Sequence, residues 1–144
     1  MNKHASTQRP ILLVEDNPMD IDLAIRAFKK QKFINPIEVA RDGEEALAWI
    51  EHCEKGAQFP LIVLLDLKLP KIHGLEVLQR FKEHHQFKKI PVIVLTSSGE
   101  DKDIETAYEC GANSYIVKPV DFEKFIKVAA EIEIYWLATN ELPR

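Results

Sequence analysis

The sequence predicts an α/β fold, a doubly wound five-stranded parallel sheet flanked by five helices. Three observations predict it. Five short apolar runs alternate with stretches at helical spacing along the whole chain. Three of the runs are continuous and rich in Ile, Leu and Val, the pattern of a strand buried on both faces. Capping and turn residues punctuate the boundaries, and five β–α units in succession imply right-handed crossovers with helices on both faces of one sheet.

The first run, Ile11–Val14, is followed by Asn17-Pro18, a capping residue with Pro at the first helical position. Ile21, Ala24, Ile25 and Phe28 then recur at helical spacing. Ile37–Ala40 is the second run; Asp42-Gly43 and Gly56 flank a helix carrying Ala46, Leu47 and Ile50. After the third run, Leu61–Leu65, Gly74 precedes a helix with Leu75, Leu78 and Phe81. The fourth run, Pro91–Leu95, leads to a short, more polar helix around Ile104–Cys110, ended by Gly111-Ala112-Asn113. The fifth, Ser114–Val117, leads to the longest helix, with Phe122, Phe125, Ile126, Ala129, Ile132 and Trp136 on its core stripe. Asp121 opens that helix with a partial capping box, lacking Glu or Gln at the third helical position. Val128, Ile134, Tyr135 and Leu137 make its last turns apolar on more than one face, which something must cover. That cover is either the domain's own first helix or a dimer partner.

Composition narrows the function. The 144 residues are 46% hydrophobic and 29% charged, which excludes a disordered chain. Nineteen Lys and Arg against 23 Asp and Glu leave a net charge of −4, so a nucleic-acid binder is not expected. No apolar run approaches the ~18 residues of a membrane span. Cys53 and Cys110 have neither metal nor redox spacing and read as buried small hydrophobes in a reducing compartment. A cytoplasmic domain is the expectation. His84-His85 and the other histidines show no metal spacing and are expected on the surface.

In such a sheet, ligands bind beyond the carboxyl ends of the strands at a switch point. Glu15 and Asp16 follow the first run, Asp66 the third, Thr96 with Ser97 and Ser98 the fourth, and Lys118-Pro119 the fifth. Singly, each has an ordinary explanation: acids cap helices, and Thr ends many strands. Together, they place an acidic trio, a hydroxyl and a lysine on one rim. Mg²⁺ would neutralise the trio with oxygen ligands and waters. The parts suit phosphoryl transfer to a carboxylate, with Asp66 as nucleophile and Lys118 offsetting charge on the phosphoryl oxygens.

These residues resemble a known family. Leu13-Val14-Glu15-Asp16-Asn17, Leu64-Leu65-Asp66-Leu67-Lys68-Leu69-Pro70, Gly74, Pro91–Ser98 and Gly111–Pro119 are similar to the motifs of CheY-like response-regulator receiver domains, which have the flavodoxin-like sheet order. The resemblance spans about Arg9 to Ala138. It implies a polar tail over residues 1–8, a receiver over 9–138, a tail over 139–144 and no output domain. It further implies that Asp66 accepts a phosphoryl group from a sensor histidine kinase. Glu15, Asp16, Asp66 and the backbone carbonyl of Lys68 would hold Mg²⁺, while Thr96 and Lys118 would contact the phosphoryl group. The bond before Pro119 would be cis, which only a following Pro makes plausible. Thr96 and Tyr115 would form the switch, although Tyr115 alone reads as a half-buried strand aromatic with its hydroxyl in water. Such a protein is a phosphoacceptor regulator, not a conventional enzyme.

The string Ile134-Tyr135-Trp136-Leu137 with Leu142-Pro143, together with Glu15–Pro18 and Asn113–Tyr115, is also similar to single-domain response regulators paired with phytochromes. That likeness implies a phytochrome-type kinase partner and a homodimer through the last two strands and helices. Three alternatives stand beside it: a Mg²⁺-dependent aspartyl phosphatase, a phosphorelay shuttle without its own output, and a flavodoxin-like electron carrier. The phosphatase would need a second acid two residues after the nucleophile, where Lys68 stands. The electron carrier would need a phosphate-binding loop where the acidic Glu15–Pro18 lies.

Overall fold

The computed structural model describes residues 9–118 and 121–140, with side chains of the last helix described through residue 134. Strands β1 (Ile11–Val14), β2 (Ile37–Ala40), β3 (Ile62–Leu65), β4 (Val92–Thr96) and β5 (Ser114–Val117) form one parallel sheet in the order β2-β1-β3-β4-β5. Helices α1 (Pro18–Lys30), α2 (Gly43–Glu54), α3 (Gly74–Glu83), α4 (Asp101–Glu109) and α5 (Phe122–Asn140) follow the strands in turn. A 3-10 turn at Phe87–Lys89 precedes β4. The doubly wound sheet with five helices is the architecture expected above.

Alternation along the strands makes two cores, because successive side chains leave opposite faces of a sheet. Leu12, Val14, Val63, Leu65, Val92 and Val94 pack with Ala46 and Cys53 of α2 and Val77, Leu78 and Phe81 of α3. Ile11, Leu13, Ile62, Leu64 and Leu95 pack on the other face with Ile21, Ala24, Ala27 and Phe28 of α1 and Phe125, Ala129 and Ile132 of α5. Val128, placed off the core stripe by sequence, is buried in this second core, whereas Ile134 is 67% exposed. The side chains of Tyr135, Trp136 and Leu137 lie outside the described residues, as do the two tails beyond 9–140.

The predicted caps form. Asn17 Oδ1 accepts the Met19 and Asp20 N–H groups at 2.9 and 3.3 Å. Asp42 Oδ1 accepts from Glu45 N–H at 2.8 Å, and Asp121 Oδ1 from Lys124 N–H at 2.8 Å. Gly111, just past α4, takes φ = +104°, where a side chain would be strained.

Two expectations need correction. His84 is not a surface residue: its side chain is 10% exposed. Its Nδ1 accepts the Gln86 and Phe87 N–H groups at 3.2 Å, capping the 3-10 turn, and Nε2 donates to Glu54 at 2.9 Å. Cys53 is buried but Cys110 only half-buried, because Cys110 is the cap residue where α4 leaves the core. Among the described residues, no helix is long and apolar enough to cross a membrane.

Candidate functional site

Topology brings the strand-end residues together. Progression through the sheet reverses between β1 and β3, which pair in register Val14↔Leu65. Glu15 and Asp16 therefore emerge beside Asp66 at the switch point, where open α/β sheets bind ligands. Thr96 closes β4 opposite Val117, so β5 delivers Lys118 to the same rim. Strand β2, at the sheet edge, contributes nothing to it.

Carboxylate oxygens of Glu15, Asp16 and Asp66 all lie within 4.8 Å of one another. Glu15 is 2% and Asp66 6% exposed, while Asp16 faces solvent. The trio, with Asp20, Lys68, Ser97 and Lys118, lines an open cavity of about 450 Å³. Lys118 Nζ donates to Asp20 Oδ2 at 2.7 Å, Glu15 Oε1 at 2.8 Å and Asp66 Oδ2 at 3.3 Å. Backbone groups fix the carboxylates: Asn17 N–H donates to Glu15 Oε2 at 3.2 Å and Lys68 N–H to Asp66 Oδ1 at 3.1 Å.

Gly74 packs against the backbone that carries Asp66. Its N–H donates to Leu67 O at 2.7 Å, and a Cβ there would lie 2.4 Å from both the Asp66 carbonyl oxygen and Leu67 Cα. Only glycine lets the start of α3 close this tightly beneath Asp66.

Electrostatics follows from burial. The Glu15 carboxyl is pushed up to about 7, because loss of water outweighs its hydrogen bond from Lys118, and the neighbouring Asp66 charge adds to the rise. Burial works to lower Lys118, but the hydrogen bonds to Asp20 and Glu15 overcome it and hold the ammonium above its ordinary value. A pocket of oxygen-only donors, Glu15 and Asp66 buried and Asp16 open to solvent, fits a hard divalent cation, which takes carboxylate and carbonyl ligands and keeps several waters.

The switch candidates lie to one side. Thr96 is fully buried, and its Oγ1 finds no hydrogen-bond partner among the described residues. The Tyr115 hydroxyl does not sit in water: it donates to the Ser98 carbonyl at 2.8 Å, and burial raises it above the ordinary tyrosine value. Ser98 Oγ in turn donates to Asp103 of α4, so Tyr115, the β4–α4 loop and α4 form one bonded unit. Pro119 lies outside the described residues.

Sequence reasoning missed Asp20 and Asp103. Asp20 had a readable signal. It is the third residue of a helix opened by Asn17-Pro18, and so returns to the same end of the sheet as Glu15 one turn earlier. Asp103 had none, because it acts through a loop whose path only the structure gives.

The model of the response regulator receiver domain matches residues 11–130. The chain belongs to that family. Among relatives of this receiver, the probable methanogenesis regulatory protein FilR2 of Methanothrix harundinacea is 45% identical over 134 residues, covering 92% of this chain and 86% of FilR2. Response regulator Rcp1 of Synechocystis is 34% identical over 145 residues, 99% of each chain. The phosphorylated cyanobacterial phytochrome response regulator RcpA superposes with a TM-score of 0.83 at 36% identity, covering 96% of this receiver and 100% of RcpA. The Mn²⁺-bound form of Rcp1 gives 0.80 at 36% identity, over 94% and 99% of the two chains.

Proposed function

We propose that this receiver accepts a phosphoryl group on Asp66 from the phosphohistidine of a sensor histidine kinase, in a Mg²⁺-dependent reaction. The observation that carries the reading is Asp66 itself: a 6%-exposed carboxylate 3.3 Å from the Lys118 ammonium and within 4.8 Å of Glu15 and Asp16. A carboxylate oxygen of Asp66 attacks phosphorus, the O–P bond forms, and the N–P bond to the donor imidazole breaks with its electron pair returning to nitrogen. Glu15, Asp16, Asp66 and the Lys68 carbonyl would hold the cation, which supplies charge neutralisation for the transferring phosphoryl group. Lys118 stays beside the reacting oxygen and offsets charge there.

A buried hydroxyl without a partner is held at a cost. In this reading a phosphoryl oxygen is the acceptor that Thr96 lacks in the unmodified protein. Movement of Thr96 would reach the Tyr115–Ser98–Asp103 unit, which adjoins it in sequence and in the sheet. Likeness to RcpA and Rcp1 supports a phytochrome-type kinase as the donor, and a cytoplasmic site of action follows from such a partner. A second copy of the chain is the proposed partner for the last two strands and helices, where Tyr108, Val117 and Ile134 are exposed.

The test is phosphorylation by acetyl phosphate or by a phosphorylated kinase. Wild type is expected to take up label only with Mg²⁺ present, and Asp66→Asn to take up none. Undiminished labelling of that variant sinks the assignment.

A further inference from the structure

Lys118 is placed where it obstructs the cation that the proposed function requires. Its ammonium holds Glu15 Oε1 at 2.8 Å and Asp66 Oδ2 at 3.3 Å, so an entering divalent ion competes with it for the charge of both proposed ligands. A half-buried ammonium stripped of its partners is costly. Asp20 removes that cost. It makes the shortest of the three contacts, 2.7 Å, yet its carboxylate is not part of the converging trio. It is also rigidly mounted, on the first turn of α1, with its N–H tied to the Asn17 cap.

We propose that Asp20 is a positioning residue that takes over the Lys118 ammonium when a divalent cation occupies Glu15 and Asp66, so that the lysine yields the ligands without leaving the pocket. The inference rests on the cation site of the proposed function. The competing explanation is that Asp20 is only an acidic residue at a helix start, stabilising α1 through its dipole.

A double-mutant cycle read by Mn²⁺ affinity separates them. Calorimetric titration would compare wild type, Asp20→Asn, Lys118→Met and the double variant, with Lys118→Gln replacing Met if the latter does not fold. Asp20→Asn is expected to weaken Mn²⁺ binding about five- to tenfold in the wild-type background, because the ammonium then clings to the ligands. Lys118→Met is expected to tighten binding, and on that background Asp20→Asn should cost no more than about twofold, the residue of one lost charge. Equal losses in both backgrounds would overturn the proposal in favour of a simple field effect. So would no loss in either, with α1 merely less stable. If wild type binds no Mn²⁺, or Asp66→Asn leaves binding unchanged, the failure belongs to the cation site and not to Asp20.

Discussion

A glutamate that has lost its water is the most consequential single residue. Glu15 titrates near 7 in the folded chain because burial outweighs its bond from Lys118, against about 4.3 for a free glutamate. A raised acid binds its proton more tightly folded than unfolded. The stability this contributes is complete below the unfolded value and is lost as pH rises through about 7. The metal-free protein should therefore be less stable at pH 8 than at pH 5.5, as far as this group decides. Glu15→Gln should raise the melting temperature in EDTA at pH 8 by about 3–4 °C per kcal/mol recovered, and leave it nearly unchanged at pH 5. A drop at pH 8, seen by calorimetry, would show that the ion pair with Lys118 outweighs the lost hydration. Residues of this kind were legible because they stand directly after apolar strands, where a charge needs a reason. Asp20 offered a weaker signal, its place in the first turn of α1, where an acid also has an ordinary reason to stand. His84 was misplaced because adjacent histidines read as polar, while its Nδ1 is drawn in by the Gln86 and Phe87 N–H groups.

At the scale of elements, α3 shows how one small residue sets a site. Gly74→Ala would force Cβ to 2.4 Å from the Asp66 carbonyl oxygen, a distance that backbone must relieve by moving. We expect a loss of about 2–3 kcal/mol, typical of overpacking against rigid neighbours. Metal affinity should fall with it, measured by urea unfolding and Mn²⁺ titration on the same preparation. Unchanged stability would mean that the α3 start slides freely. Element types were readable from periodicity, but edges drifted by a residue. Thr96 falls inside β4 because Val117 pairs with it, and β3 starts at Ile62 because the Leu61 N–H turns to Pro10 O. Val128 escaped the predicted stripe of α5 because it turns toward the sheet, lining an apolar cavity with Ile62, Ile93 and Ile116. Hydrogen bonds between elements, which decide such edges, leave no periodic trace in a sequence.

The whole molecule is a sheet whose two edge strands differ in duty. Strand β2 carries no site residue, while β5 carries the half-buried Tyr115 and leads directly into Lys118. A change felt at β5 is thus felt at a surface. Sedimentation at increasing concentration, with and without phosphorylation, should reveal a second copy on the face formed by β4, β5, α4 and α5. Substituting Ile134, 67% exposed, by Asp should abolish that association without altering labelling of Asp66. A wild-type chain that stays monomeric in both states would leave this face to some other partner. A parallel sheet and its functional rim were legible from the succession of β–α units, while the strand order came from the resemblance to CheY-like receivers. The bonded path from Tyr115 through Ser98 to Asp103 was not, because it joins residues whose spacing follows no helical or strand period.

The ion pair between Glu15 and Lys118 closes a gap of 103 residues. During synthesis at about 5–20 residues per second, the first acid waits roughly 5–20 s for its cationic partner to be made. Asp66, made 52 residues before Lys118, is without the ammonium that stands beside it in the finished protein for roughly 3–10 s. A partly synthesised or nicked chain lacking β5 would hold the acids but not the lysine. In the proposed reading, such a chain would meet a phosphoryl donor without the Lys118 cation that offsets charge at Asp66.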